Sequence, residues 1–231
     1  MSGLFVTIEG IDASGKSSTV AQVVEALNER GYDATQITRK DVPEQTPYIH
    51  AFMKQFKEIF WKYNNDDPLR EMPDECWLFM HALWYQLLDQ YHISPMKAQN
   101  KIVVIDAWYY KILARFMTKE HFNKTLLHSI FSGLQTGDAV FLLHADPAIC
   151  WSRRTSFSKP ELGEFDNHIG DARERFVSFQ SKVSETYLKL AAESNWNVLH
   201  TDQLSRSQIV HTIADRISEI KAASTERSHV V

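Results

Sequence analysis

Apolar positions follow two different periods along the 231 residues. Short runs rich in β-branched and aromatic residues, at Leu4–Glu9, Ala34–Thr38, 101–105, 139–143 and Asn197–His200, read as buried strands. Between them, stretches with apolar residues three and four apart read as helices over 17–30, 48–63, 74–92, within 109–132, from Pro147 onward, and over 171–194 and 205–223. Gly31 stops the first helix, Asp74 after Pro73 caps the third, and Pro147 opens another. The run 64–68 reads as a turn, 155–167 as a polar connection, and 224–231 as a disordered tail. No repeat or low-complexity segment interrupts the pattern. Strand and helix in alternation predict one α/β domain over 1–223, with a five-stranded parallel sheet between two helix layers. Ligands of such sheets gather at the carboxyl ends of the strands. That rule places the loop after the first strand, Arg39-Lys40-Asp41, Asp106 and Asp146 along one edge.

Composition narrows the partners. The net charge of −4 gives no bulk electrostatic case for nucleic acid or an anionic membrane surface. No apolar run approaches the length of a membrane span. The chain enters a strand within a few residues and shows no basic leader, so a cytoplasmic location is expected. Cys76 and Cys150 make no disulfide framework and read as buried thiols in a reducing compartment. The ten histidines show no metal-ligand spacing, and His81 reads as a core or surface histidine.

The run Gly10-Ile11-Asp12-Ala13-Ser14-Gly15-Lys16-Ser17 carries the chemistry. It fits G-x-x-x-x-G-K-[ST] and lies between a strand and a helix, the context that a phosphate-cradling loop requires. Gly10 and Gly15 let the backbone curl close to an anion. The loop amides of Ala13, Ser14 and Gly15 and the helix start at Ser18 then point at phosphate oxygens. Lys16 supplies charge to the β- and γ-phosphates, and the Ser17 hydroxyl is placed for Mg²⁺. ATP and Mg²⁺ are therefore the expected cofactors.

From these residues the chain resembles the thymidylate kinase family of P-loop nucleoside monophosphate kinases. Glu9-Gly10-Ile11-Asp12 and the loop resemble the family's opening, Lys101 through Asp106 the strand before its Asp-Arg pair, and Ala139 through Arg153 the strand and helix leading into a lid. The resemblance implies a P-loop NTPase fold with three layers, α/β/α, a lid over about 155–170, and a homodimer. It implies γ-phosphate transfer from ATP to a nucleoside monophosphate such as dTMP.

The resemblance also assigns roles. Asp106 stands where a carboxylate holds Mg²⁺, Arg39 where an arginine holds the acceptor phosphate, and Arg153 where one packs on adenine. Arg154 follows as a lid cation able to close on the γ-phosphate. Asp12 is expected at an acceptor hydroxyl or at Mg²⁺, and Glu9 as a base toward an acceptor or as a group orienting the loop. Phe79, Trp84 and Tyr109 are candidates to stack on the acceptor's base. Two family arginines are missing: Ala107 follows Asp106, and Leu83 is the nearest counterpart on the 74–92 helix. Bidentate arginines grip monophosphates, so two other readings stay open: a kinase of a nucleoside or other hydroxyl acceptor, with Glu9 as base, and a nucleotide-binding protein with weakened or lost transfer.

Overall fold

A computed structural model describes residues 3–44, 46–61, 71–166 and 168–228. The sheet has five strands: β1 (Leu4–Glu9), β2 (Ala34–Thr38), β3 (Ile102–Asp106), β4 (Ala139–His144) and β5 (Asn197–His200), in the order β2-β3-β1-β4-β5. Every neighbouring pair is parallel. The sequence expectation of a five-stranded parallel sheet therefore holds, and the physical reason is burial on both faces. Phe5, Val103, Ile105, Val140 and Leu142 point into one apolar cluster. Leu4, Val6, Ile8, Val104 and Phe141 point into the other.

The second cluster is closed by α1 (Lys16–Glu29) and by α9 (Arg206–Ser228), through Val20, Val23, Leu27, Ile213 and Ile217. The first face carries the rest: α2 (Pro47–Trp61), α3 (Asp74–Leu88), α4 (Ser94–Ala98), α5 (Tyr110–Met117), α6 (Lys124–Phe131), α7 (Pro147–Ser152) and α8 (Ala172–Glu193). Two short 3₁₀ turns, Lys159–Leu162 and Glu164–Asp166, occupy the segment read as a lid. Register aligns the strand ends: Ile8 and Thr38 both face Asp106 across the sheet. The first loop, the end of β2 and the end of β3 thus open on one edge.

Two element boundaries differ from the sequence pattern. The helix expected over 74–92 is α3 followed by a π turn, Asp89–Ile93, which leads into α4. The buried Asp89 carboxylate accepts from Gln135 N at 3.0 Å and from Ser94 Oγ at 3.1 Å, and Pro95 has no N–H to continue the regular ladder. At the other end, α9 continues to Ser228 rather than stopping at 223, because no glycine or proline interrupts it. The turn expected over 64–68 lies outside the described residues.

Candidate functional site

The loop between β1 and α1 has the backbone that its glycines allow. Gly10 has φ +147°, and a Cβ there would sit 2.7 Å from the Leu143 carbonyl oxygen. Gly15, at φ +99°, caps α1, and Ala13 also takes a positive φ of 62°. The buried Lys16 ammonium donates to the Gly10 and Ile11 carbonyls at 2.9 and 2.6 Å. Ser18 Oγ donates to Gly15 O at 2.9 Å. Ser17 Oγ donates directly to the Asp106 carboxylate, so the two oxygen ligands expected for Mg²⁺ meet at one point. Among the described residues no cluster of three or more His, Cys, Asp or Glu exists. A phosphate-borne Mg²⁺ needs none, since it takes one or two protein oxygens plus phosphate and water.

A cleft of about 860 Å³ opens over this loop. Asp12, Ala13, Gly15, Lys16, Ser17, Ser18 and Asp106 form its floor. Arg39 and Lys40 come from the end of β2, Arg153 and Arg154 from the end of α7, and Arg206 from the start of α9. Arg153 Nη1 donates to Ala13 O at 3.3 Å. Arg154 pairs with Glu161 of the 3₁₀ turn at 2.8 Å. Gly10 and Ser14 lie behind the loop rather than in the cleft wall, and both belong to its scaffold. Arg206 was not identified from sequence; its position at the start of the helix after the last strand, near the ligand-binding edge, was the available signal.

A second cavity, of about 380 Å³, adjoins the cleft and shares Arg39, Lys40, Lys111 and Glu161 with it. Its walls are aromatic: Phe60, Trp61, Trp77, Phe116 and Phe179. Arg39 and Lys40 lie over the Trp61 ring at 5.2 and 5.1 Å. Lys119 bridges Asp166 at 2.7 Å and Asp74 at 3.2 Å at its rim. His81 also lines it. Burial, with Arg39, Arg115 and Lys111 nearby, holds the His81 imidazole well below its usual pKa and therefore neutral. Its Nδ1 has no hydrogen-bond partner among the described residues.

Asp12 organises the junction of the two cavities. Lys111 Nζ reaches one carboxylate oxygen at 2.6 Å, and Arg115 reaches the other at 2.5 Å. Gln180 of α8 donates to it at 3.1 Å and accepts from the Asp12 amide at 3.2 Å. Burial opposes ionisation, but Lys111, Arg115 and Lys16 together hold Asp12 well below the usual carboxylate range. Asp12, expected at an acceptor hydroxyl or at Mg²⁺, lines the cleft and makes a double ion pair. Lys111 and Arg115, one turn apart on α5, bring two positive charges to this junction. Neither was identified from sequence; two cations at i and i+4 just after the Asp106 strand were the signal.

Several candidates sit elsewhere. Trp84 is fully buried, and its indole Nε1 donates to Arg39 O at 2.6 Å. Tyr109 is buried against Phe131, ring centroids 5.1 Å apart. Phe79 is 50% exposed and lines neither cavity. Leu83, one turn on, shares that outward face. The α3 side chains that do face the cavity are Trp77 and His81, with Asp74 at its rim. Nearly every position of α3 is apolar, so periodicity could not choose its inner face. Glu9 is wholly buried: Oε1 accepts from Trp108 N at 2.7 Å and Oε2 from Tyr187 OH at 3.0 Å. It holds the turn through Ala107, whose φ is +62°, and lines neither cavity. Asp146 caps α7 by accepting from Ala148 N at 2.6 Å and lies outside the cleft. Cys150 is buried but Cys76 is partly exposed; both are free.

A parallel sheet with a phosphate loop at its edge, cations converging from four elements and an adjoining aromatic cavity define a nucleotide kinase of the P-loop class. The thymidylate kinase family model matches residues 8–213. The chain belongs to the thymidylate kinase family and is a thymidylate kinase-like, ATP-dependent phosphotransferase. It is 32% identical over 205 residues to the thymidylate kinase of Photobacterium profundum, covering 86% of this chain and 93% of that one. With the thymidylate kinase of Desulforapulum autotrophicum it shares 27% identity over 217 residues, 90% of this chain and 88% of the relative. The solved thymidylate kinase of Candida albicans has the same fold, with a TM-score of 0.65, 20% identity and coverage of 95% and 93% of the two chains.

Proposed function

We propose that this enzyme transfers the γ-phosphoryl group of ATP to the phosphate of dTMP. The β–γ bridging P–O bond breaks, an acceptor phosphate oxygen bonds the γ-phosphorus, and ADP and dTDP leave. The observation that carries this reading is the shared wall of Arg39, Lys40, Lys111 and Glu161 between the phosphate-loop cleft and the aromatic cavity. ATP's phosphates lie along the loop amides and Lys16, with Arg153 and Arg154 beside them. The acceptor's base enters between Trp61, Trp77, Phe116 and Phe179, and its phosphate faces the cations. Ser17 and Asp106 would hold Mg²⁺, which neutralises charge on the phosphates when bound. Everything else is positioning, which is most of what phosphoryl transfer asks of a protein.

Glu9 favours a phosphate acceptor over a hydroxyl one. Its carboxylate is turned to Trp108 and Tyr187, and a phosphate brings its own ionised oxygen and needs no base. A homodimer closing over the exposed Phe79 and Leu83 of α3 fits this reading. So does a cytoplasmic setting, given two free cysteines and, among the described residues, no helix long and apolar enough to cross a membrane.

The test is incubation with ATP and Mg²⁺ against dTMP, other nucleoside monophosphates, nucleosides and simple alcohols, following ADP and phosphorylated product together. Turnover on dTMP with ADP and dTDP in equal amounts is expected. Turnover on nucleosides alone would replace the acceptor, and ADP without product would remove the transferase reading.

A further inference from the structure

The end of β3 gives the cleft a carboxylate and no cation. Ala107 carries no charge, is 1% exposed and turns away at φ +62°. The chain recovers a cation five residues after Asp106. Lys111 lies in the first turn of α5, is 8% exposed, and borders both the phosphate-loop cleft and the aromatic cavity. Three of the four residues common to the two cavities are cations, and one, Glu161, is an acid. The acid is already engaged by Arg154. Asp12 in turn is shared between Lys111 and Arg115, so one carboxylate faces two positive groups. A junction with this surplus, buried at Lys111 and Asp12 and open at Lys40, is complementary to a dianion.

We propose that Lys111 is the cation that bridges the acceptor's phosphate and the migrating γ-phosphoryl group, with Asp12 as the positioning residue that aims its ammonium. The inference rests on the reading of the second cavity as an acceptor site. Lysine suits the task as a compact point charge that touches several oxygens in turn as the phosphoryl group moves. Asp12 holds it at the junction without neutralising it, because Arg115 takes the carboxylate's other oxygen. The bonds made and broken are those of the transfer itself, and Lys111 keeps its proton throughout.

Lys111 faces Asp12 from the loop, Lys16 from α1, Arg39 from the end of β2, His81 from α3, Arg115 from its own helix and Glu161 from the 3₁₀ turn. Burial pushes its pKa down to about 7; Asp12 opposes this, and Arg39, Arg115 and Lys16 add to it. The free enzyme must therefore hold the Lys111 proton to attract the acceptor, and kcat/KM for the acceptor falls as pH rises past about 7. Glu9 also titrates near 7, so the profile alone does not name the lysine.

The experiment compares wild type with Lys111→Met and Lys111→Arg, each checked for an unchanged melting transition. Lys111→Met is expected to lower kcat/KM for dTMP about 10³-fold while the KM for ATP moves less than about threefold. Lys111→Arg, permanently charged, is expected to recover part of the rate and to lose the alkaline limb near pH 7. Retention of most activity in Lys111→Met would overturn the proposal. Diadenosine pentaphosphate, which can span both cavities whatever the acceptor's base, separates this inference from the dTMP reading. Lys111→Met is expected to weaken it about 10²-fold more than it weakens ATP. If wild type ignored dTMP yet bound the pentaphosphate in this Lys111-dependent way, the acceptor reading would fail and the bridging role would stand. Equal affinity in wild type and Lys111→Met would reject the role.

Discussion

Ser17 and Asp106 are 89 residues apart and joined by a direct hydrogen bond from the hydroxyl to the carboxylate. The bond ties the first turn of α1 to the end of β3, the two places from which a phosphate-bound cation can be reached. Asp106→Asn keeps the shape and removes the charge. It is expected to raise the Mg²⁺ concentration for half-maximal rate about tenfold and to lower kcat about 10²-fold. A Mg²⁺ titration of initial rate measures both, and an unchanged Mg²⁺ dependence would remove Asp106 from the metal site.

Glu9 should betray its burial in the pH dependence of stability. Burial raises its pKa from 4.5 to about 7, and the donors Trp108 N and Tyr187 OH, with Lys16 nearby, offset only part of that. The folded state thus holds a proton that the unfolded chain releases. The stability Glu9 contributes is complete below pH 4.5 and is lost as pH rises through 7. Glu9→Gln has no such proton. Relative to wild type it is expected to gain about 3 kcal/mol between pH 4.5 and 7.5. Chemical denaturation of both proteins across that range tests this; parallel curves would refute it.

Trp84 and Phe79, both read from sequence as possible stacking partners, should separate cleanly. Trp84→Phe removes the bond from Nε1 to Arg39 O and leaves a smaller ring in a fully buried site. A loss of about 1–3 kcal/mol is expected, with a severalfold rise in acceptor KM as Arg39 loosens. Phe79→Ser, outside both cavities, should leave acceptor KM within about twofold. The reverse pattern in steady-state kinetics would restore Phe79 to the site.

Arg153 and Arg154 are neighbours with different partners, a loop carbonyl for one and Glu161 for the other. Arg153→Ala is expected to raise the KM for ATP about tenfold with kcat little changed, as for lost ground-state binding. Arg154→Ala is expected to lower kcat about 10- to 10²-fold with the KM for ATP held, as for a charge felt mainly during transfer. Equal effects of the two substitutions on both constants would refute the division.

The sequence by itself determined the sheet, the phosphate loop and the edge on which the site opens. Each rests on local or periodic physics: β-branched runs buried on both faces, glycines at two of the three loop positions of positive φ, and a serine and lysine after them. The resemblance carried by the same residues gave the family. Tertiary structure decided what lies opposite the loop. Whether Phe79 or Trp77 faces the cavity depends on the rotation of α3, and a helix with apolar residues on all sides leaves that to its neighbours. The role of Asp12 depends on Lys111 and Arg115, about 100 residues away, and that of Glu9 on Trp108 and Tyr187. Buried charges take their pKa values from whatever surrounds them. Two arginine positions were empty in the sequence, and only folding could bring α5 close enough to Asp12 to refill the junction with charge.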